Sequence, residues 1–332
     1  MKLLIFGGTG FLGRYIVKAA CSAGHEVTLF NRGASHPELF AELEQLRGDV
    51  DGGTEPLKGR SWDAAIDTCS MFPRAVRSLT TLLADAVAHY TYISSTSVYA
   101  DFDRVGIDES YPVSTLEDET LEEDKPHYYG GLKALCEKAA EVGMPGRVLT
   151  IRPGLLVGPF DATDRFTYWP QRIALGGEVI APGNPDQQVQ FIDARDLAAW
   201  IVHMIQNRQT GVYNAKGPLP HALTMQTLLE TCKVVTESDA RFVWLDEHFL
   251  LEHEVAPYRD MPLWVPSDMI GFATVSSQKA LAHGLTYRPL AETIQDTLDW
   301  NATRPATDEI KAGLKPDREQ ELLQLWYSYL AI

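Results

Sequence analysis

Short apolar runs alternate with stretches of helical periodicity through the first half of the chain. Residues 3–6, 27–30, 64–66 and 90–93 each read as a buried strand. Residues 12–23, 74–88 and 129–141 carry apolar positions at helical spacing. This alternation predicts a doubly wound α/β domain, a parallel sheet with helices on both faces. Residues 147–151 read as another strand, stopped by Arg152-Pro153-Gly154. Regularity then weakens. Residues 161–183 are rich in aromatics, glycine and proline, and a short strand (189–192), a helix (193–206) and a strand (212–214) follow. From Pro218 onward the pattern predicts mainly helices, among them 225–235, 290–300 and 318–329. An acidic, proline-containing connection, 101–125, reads either as a binding lid or as a solvated insertion.

Composition narrows the partners. The 332 residues are 45% hydrophobic and 22% charged, enough for a large core, and the formal net charge is −16. That acidity argues against a nucleic-acid partner and against an anionic membrane surface. The first apolar run is too short for a secretory or membrane-spanning segment. Four scattered cysteines without C-x-x-C spacing fit free thiols in a reducing compartment, so a cytoplasmic location is expected. Nine histidines without H-x-x-x-H or H-E-x-x-H spacing give no support for a metal site. A nucleophile elbow, G-x-S-x-G, is absent.

Candidate chemistry begins directly after the first strand, at Gly7-Gly8-Thr9-Gly10-Phe11-Leu12-Gly13. Such spacing between strand and helix serves a tight turn, a close backbone approach to a pyrophosphate, and helix–strand packing. The helix N-terminus offers free N–H groups to phosphate. This predicts a Rossmann-type dinucleotide site. The position about 20 residues on should meet the adenosine ribose. It reads Asn31-Arg32 rather than an acid. Arginine can pair with a 2′-phosphate, so NADP is favoured, with NAD admitted. Arg32 as a solvated turn residue is the plainer reading. Asp49, after the third strand, could accept from an adenine amino group or simply serve a turn.

A second constellation is Tyr129-Gly130-Gly131-Leu132-Lys133. Positions i and i+4 share a helix face, where the lysine's cation would favour a tyrosinate able to transfer protons. Residues 94–99, Ser-Ser-Thr-Ser-Val-Tyr, end a strand at the carboxyl edge of the sheet, where a hydroxyl could hold a substrate oxygen. Phe166, Tyr168 and Trp169 suit either a substrate pocket or the core.

Together these motifs resemble the short-chain dehydrogenase/reductase superfamily, in its extended, epimerase/dehydratase-like branch, over about two-thirds of the chain. The resemblance also rests on Arg152-Pro153-Gly154-Leu155-Leu156-Val157-Gly158-Pro159 and on Phe191-Ile192-Asp193-Ala194-Arg195-Asp196-Leu197-Ala198. It implies Ser95, Tyr129 and Lys133 as catalytic residues. For the cofactor it implies Gly7 to Gly13, Asn31, Arg32, Asp49, Lys133 and Pro153. It implies hydride transfer at a carbon bearing a hydroxyl or carbonyl of a small, sugar-like substrate. Sugar epimerisation through transient oxidation is the alternative, and a dinucleotide-sensing or RNA-associated non-catalytic relative the next. A homodimer is admitted. The expected division is 1–160 with 190–215 for the dinucleotide domain, and 161–189 with 216–332 for a smaller, discontinuous, mainly helical substrate domain. Three departures matter. Phe6 stands where the family often has threonine. Val189 stands where sugar-nucleotide epimerases hold a diphosphate with arginine. Thr96-Ser97 stands where dehydratases carry an Asp-Glu pair, which disfavours elimination.

Overall fold

The computed structural model describes residues 1–120, 125–217, 223–305 and 307–331. In chain order these residues form β1 (Lys2–Phe6), α1 (Phe11–Ser22), β2 (Glu26–Asn31), β3 (Glu44–Arg47), β4 (Ala64–Asp67), α2 (Pro73–Leu83), β5 (His89–Ile93), α3 (Tyr129–Gly143) and β6 (Val148–Pro153). There follow β7 (Leu156–Val157), α4 (Tyr168–Ala174), β8 (Glu178–Pro182), β9 (Ile192–Asp193), α5 (Ala194–Gln206), β10 (Gly211–Ala215) and α6 (Met225–Val235). The last elements are β11 (Arg241–Leu245), α7 (Glu247–Glu252), α8 (Gln278–Ala282), α9 (Leu290–Ala302) and α10 (Pro316–Leu330).

Seven strands make one parallel sheet in the order β10-β6-β5-β4-β1-β2-β3. Both faces are covered, so strand side chains divide between two cores. Leu3 and Ile5 of β1 point to a core built with α1 and α5, including Ile16, Val17, Leu197 and Ile201. Leu4 and Phe6 point the other way, to Val76 and Leu79 of α2 and to Cys136 and Ala140 of α3. The period of two with both faces buried explains why these strands read as unbroken apolar runs. The chain moves outward from β1 through β2 to β3, then returns to place β4 on β1's other side. That reversal opens a crevice at the carboxyl edge, between the ends of β1 and β4.

A second core, with Trp169, Leu228, Leu245, Trp264, Ile294 and Leu322, gathers α4, α6, α9 and α10 around a two-stranded parallel sheet of β8 and β11. Both strands differ from expectation. β8 lies within the aromatic, Gly/Pro-rich stretch and β11 within the region that reads as helical; each is only five residues long, too short for periodicity to separate from noise. The strand expected over 189–192 contracts to β9, and β6 continues through Arg152 and Pro153 to pair with β10. Phe166 and Trp169 are fully buried and Tyr168 nearly so, which makes them core rather than pocket wall. The segment around α8 departs from the expected grouping of residues 216–332. Ala280 and Leu285 join the α1–α5 core, and Trp200 Nε1 donates to the His283 carbonyl at 2.9 Å.

The connection after β5 is anchored over its described part. Ser114 N donates to the Val98 carbonyl at 2.6 Å, Gly106 N to the Thr274 carbonyl at 3.1 Å, and Ile107 is buried with Val98, Tyr99 and Val275. Residues 121–124 of that expected lid lie outside the described residues.

The C-terminal helix is tied in by a buried ion pair. Arg172 Nε donates to Glu319 Oε2 at 2.6 Å, and Glu319 Oε1 accepts from Ile180 N at 3.2 Å. Removing one partner of a buried pair strands the other, at a cost of about 3–5 kcal/mol. Glu319→Ala is therefore expected to lose about that much in urea unfolding. A loss below ~1 kcal/mol would show that α10 is held by apolar packing alone.

Candidate functional site

Gly7 and Gly8 adopt φ of +95° and +77°, open to glycine and strained for other residues. A Cβ on Gly13 would lie 2.7 Å from the Gly8 nitrogen, so α1 seats directly on the turn. Gly10 is the opposite case. A Cβ there would meet nothing within 4 Å, because its α-carbon faces open space. That space is a cavity of about 550 Å³ lined by Gly7, Thr9 to Gly13, Asn31 to Ser35, Asp49, Asp51, Thr68 and Phe72, among others. Its size is within the range of small-molecule sites. No side chain caps α1 and its first turn holds no acid, so its terminal N–H groups face the cavity as an anion site.

The far end of the cavity is polar. Asn31 Oδ1 accepts from Gly33 N at 2.9 Å and from the Arg47 guanidinium, which leaves Asn31 Nδ2 buried without a partner. An orphaned donor in a cleft is a ligand contact in waiting. Arg32 is exposed and stands 3.8 Å from Asp49. The aspartate expected at an adenine amino group thus also neutralises part of Arg32's charge. Arg47, on β3, is the cation that sequence reading missed. Its signal was the end of the strand next to β2, in a stretch where no motif directs attention. Thr68 and Phe72 were missed likewise, though the end of β4 is a carboxyl edge. Asp67 shapes that edge, accepting from Tyr90 Oη at 2.6 Å and from the Cys69 and Ser70 nitrogens.

Tyr129 and Ser95 come together beside the same edge. α3 approaches residues 94–98 closely because position 130 is glycine, where a Cβ would fall 2.1 Å from the Ser97 carbonyl oxygen. Ser95 Oγ accepts from Ser97 N at 3.1 Å. Burial raises the Tyr129 pKa, while hydrogen bonding with Ser95 and the Arg165 charge pull it down. Lys133 is buried, and its Nζ donates to the Ile93 carbonyl at 2.8 Å and the Ser70 carbonyl at 3.4 Å. Burial lowers its own pKa. The Lys133 amine, one turn from the phenol, is engaged by these two carbonyls. In i, i+4 register the lysine reaches past the tyrosine to the strand ends. Pro153 closes β6 beside this cluster, paired with Ala215.

Beneath lies a buried polar web. Ser94 Oγ donates to Glu137 Oε1, Arg152 binds Glu137 through Nε at 2.9 Å and Nη2 at 2.6 Å, and Arg152 Nη1 donates to Tyr99 Oη at 3.2 Å. Tyr99 Oη in turn donates to Asn214 Oδ1 at 2.7 Å. The web fixes α3, β6 and β10 relative to the Ser94–Ser95 strand end. Val189, the position where epimerases carry a diphosphate-binding arginine, is buried in the second core. Among the described residues no helix is long and apolar enough to cross a membrane.

Comparison with known proteins follows this geometry. The bovine (Bos taurus) epimerase family protein SDR39U1 is 26% identical over 232 residues, 66% of this chain and 75% of that protein. The chloroplast stem-loop binding protein of 41 kDa b from Arabidopsis thaliana is 23% identical over 235 residues, 65% of this chain and 58% of that protein. The human SDR39U1 (isoform 2) structure with NADPH superposes with a TM-score of 0.62 at 20% identity, covering 90% of this chain and 99% of that one. A family model, the NAD dependent epimerase/dehydratase family, matches residues 3–215. That span holds the whole glycine turn, Ser95, Tyr129 and Lys133, and the chain belongs to the NAD dependent epimerase/dehydratase family.

Proposed function

We propose that the chain is an NADP-dependent oxidoreductase acting at a carbon that bears a hydroxyl or carbonyl group on a small substrate. The observation that carries this reading is the Tyr129–Ser95 hydroxyl pair at the same sheet edge as an open, glycine-lined phosphate cradle. The cradle fits a dinucleotide on two counts: Gly10 leaves room for a pyrophosphate, and Asn31 Nδ2 lacks a partner. Gly7, Gly8, Thr9, Gly10, Phe11, Leu12 and Gly13 would hold the phosphates, Asn31 the ribose, Arg32 and Arg47 a 2′-phosphate, and Pro153 and Lys133 the nicotinamide half. NADPH bound to human SDR39U1 and the pair of arginines favour NADP over NAD. The cofactor supplies a hydride acceptor or donor.

The chain's residues then handle the proton. Ser95 orients the substrate oxygen, Tyr129 gives or takes its proton, and Lys133 steadies the ribose from its seat on the Ile93 carbonyl. An epimerase would use the same groups and keep the oxidised intermediate, so product analysis separates the two reactions.

NADPH is expected to bind more tightly than NADH by calorimetry, by about tenfold or more, as a charge-assisted phosphate contact of about 1.5–3 kcal/mol requires. Arg32→Ala and Arg47→Ala should each erode the preference. Equal affinities in the wild type would remove the NADP assignment.

Gly10→Val should abolish dinucleotide binding while the melting temperature stays near wild type, because the added side chain enters open cavity rather than core. Retained micromolar binding would mean that the phosphates lie elsewhere.

Tyr129→Phe should lower turnover about 10²–10⁴-fold with cofactor affinity intact, and Ser95→Ala should cost less. Lys133→Met should lose turnover and cofactor affinity together. In the oxidative direction kcat should rise with pH as the phenol ionises, since burial holds its pKa up and only the deprotonated form accepts a proton. That limb should vanish in the phenylalanine variant. A phenylalanine variant at full speed would move the chemistry to another residue.

A further inference from the structure

The loop between β7 and α4 is built to present one arginine. Phe160 and Asp164 take left-handed backbone, with φ of +72° and +58°, unusual for residues other than glycine. Asp164 is fully buried, accepts from Arg304 Nη1 at 2.6 Å and from Lys311 N at 3.1 Å, and so straps the loop to the C-terminal segment. Asp161, also buried, accepts from Thr163 N at 2.9 Å and Thr163 Oγ1 at 2.7 Å. Thr163 Oγ1 accepts in turn from Arg165 Nε at 3.2 Å. This chain of bonds orients the guanidinium through its inner edge. Its two Nη groups make no hydrogen bond or ion pair with any described residue.

Asp and Glu number 45 against 29 Lys and Arg, and the buried or part-buried Arg152, Arg172, Arg195, Arg288 and Arg304 each pair with a carboxylate. Arg165 does not, although it is only partly exposed. Arg14 and Arg147 have no carboxylate partner among the described residues either, but they donate to backbone carbonyls. The charge of Arg165 also pulls down the pKa of two phenols, Tyr129 and Tyr258, against the larger upward effect of their burial. Tyr258 is itself held in left-handed backbone, φ +61°, with its ring edge-on to Phe272 at 5.2 Å between centroids. A planar fork held through Nε, with both Nη groups open and its charge felt at Tyr129, matches a single planar oxyanion.

We propose that Arg165 binds the carboxylate of an oxo- or hydroxy-acid substrate, with the reacting oxygen of that molecule at Tyr129 and Ser95. A carboxylate suits the site better than a phosphate monoester. One guanidinium with two free Nη groups offers two parallel donors and one charge, whereas a phosphate dianion would call for a second cation. The substrate class rests on the oxidoreductase reading of Tyr129; the anion site itself does not, since Arg165 binds without hydride transfer.

The test measures binding apart from turnover. Pyruvate, acetoacetate and levulinate, each beside its methyl ester, are titrated by ligand-observed NMR onto the full-length protein, with and without saturating NADP⁺. The acids should bind the wild type at least about tenfold more tightly than their esters, the usual size of a charge-assisted contact. Arg165→Met should erase that preference while leaving ester binding and NADP⁺ affinity unchanged. Thr163→Val, which frees the guanidinium from its orienting bond, should give an intermediate loss, and Arg165→Lys should keep part of the preference. If Arg165→Met does not fold, as judged by near-UV circular dichroism, the acid–ester comparison in the wild type and the lysine variant decide. Three outcomes overturn the proposal: esters bind as well as acids, none of the acids binds, or the acid preference survives without Arg165. Failure of NADP⁺ to bind the wild type would instead refute the cofactor reading. Binding of inorganic phosphate in preference to every acid would refute the carboxylate assignment.

Discussion

A Cβ at Gly13 would stand 2.7 Å from the backbone nitrogen of Gly8, and one at Gly8 would stand 2.8 Å from Leu29 Cδ2. The first turn is thus closed on both sides, by helix and by strand. Everything at the carboxyl edge depends on that fit. With α1 pressed onto the turn, its N-terminal N–H groups point across the crevice where the strand order reverses. The same reversal brings the ends of β4 and β5 alongside, and with them Thr68, Ser95 and the carbonyls that hold Lys133. The principle repeats at Gly130, where the lack of a side chain lets α3 close on Ser97 and sets Tyr129 beside Ser95. Two contacts that only glycine permits thus shape both the glycine turn and the Tyr129–Ser95 pair.

The sheet was readable because strands buried on both faces show as plain apolar runs, and because the helices between them are long enough for their period to register. The glycine turn was readable since its spacing and its place after a strand have one steric explanation. Arg47 was not, because nothing local marks a β3 arginine that reaches Asn31 on the neighbouring strand. The direction of Lys133 was also hidden. Helical spacing fixes which face a side chain leaves from, but a long amine travels to whatever acceptors lie beyond, here the Ile93 and Ser70 carbonyls. β8 and β11 escaped notice since five residues in a mixed stretch give no period, and their pairing is a contact between segments about 60 residues apart.

Electrostatics divides the molecule unevenly. The formal charge is −16, yet Arg32, Arg47 and Lys133 gather at the sheet edge. Buried Arg152 is fully engaged by Glu137 and stabilises the scaffold, whereas Arg165 is oriented but unpaired. The web from Ser94 through Glu137 and Arg152 to Tyr99 and Asn214 supplies rigidity on the opposite side. Few degrees of freedom then remain for the strand end that carries Ser95.

The central claim is that the glycine cradle and the Tyr129–Ser95 pair are two halves of a single site. A crystal structure of the protein soaked with NADPH tests it most directly. The account predicts the pyrophosphate over Gly10 at the start of α1, the adenosine ribose on Asn31, and the nicotinamide ring in contact with the Tyr129 hydroxyl. An ordered dinucleotide whose nicotinamide lies away from Tyr129 and Ser95, or one bound outside the glycine turn, would contradict it.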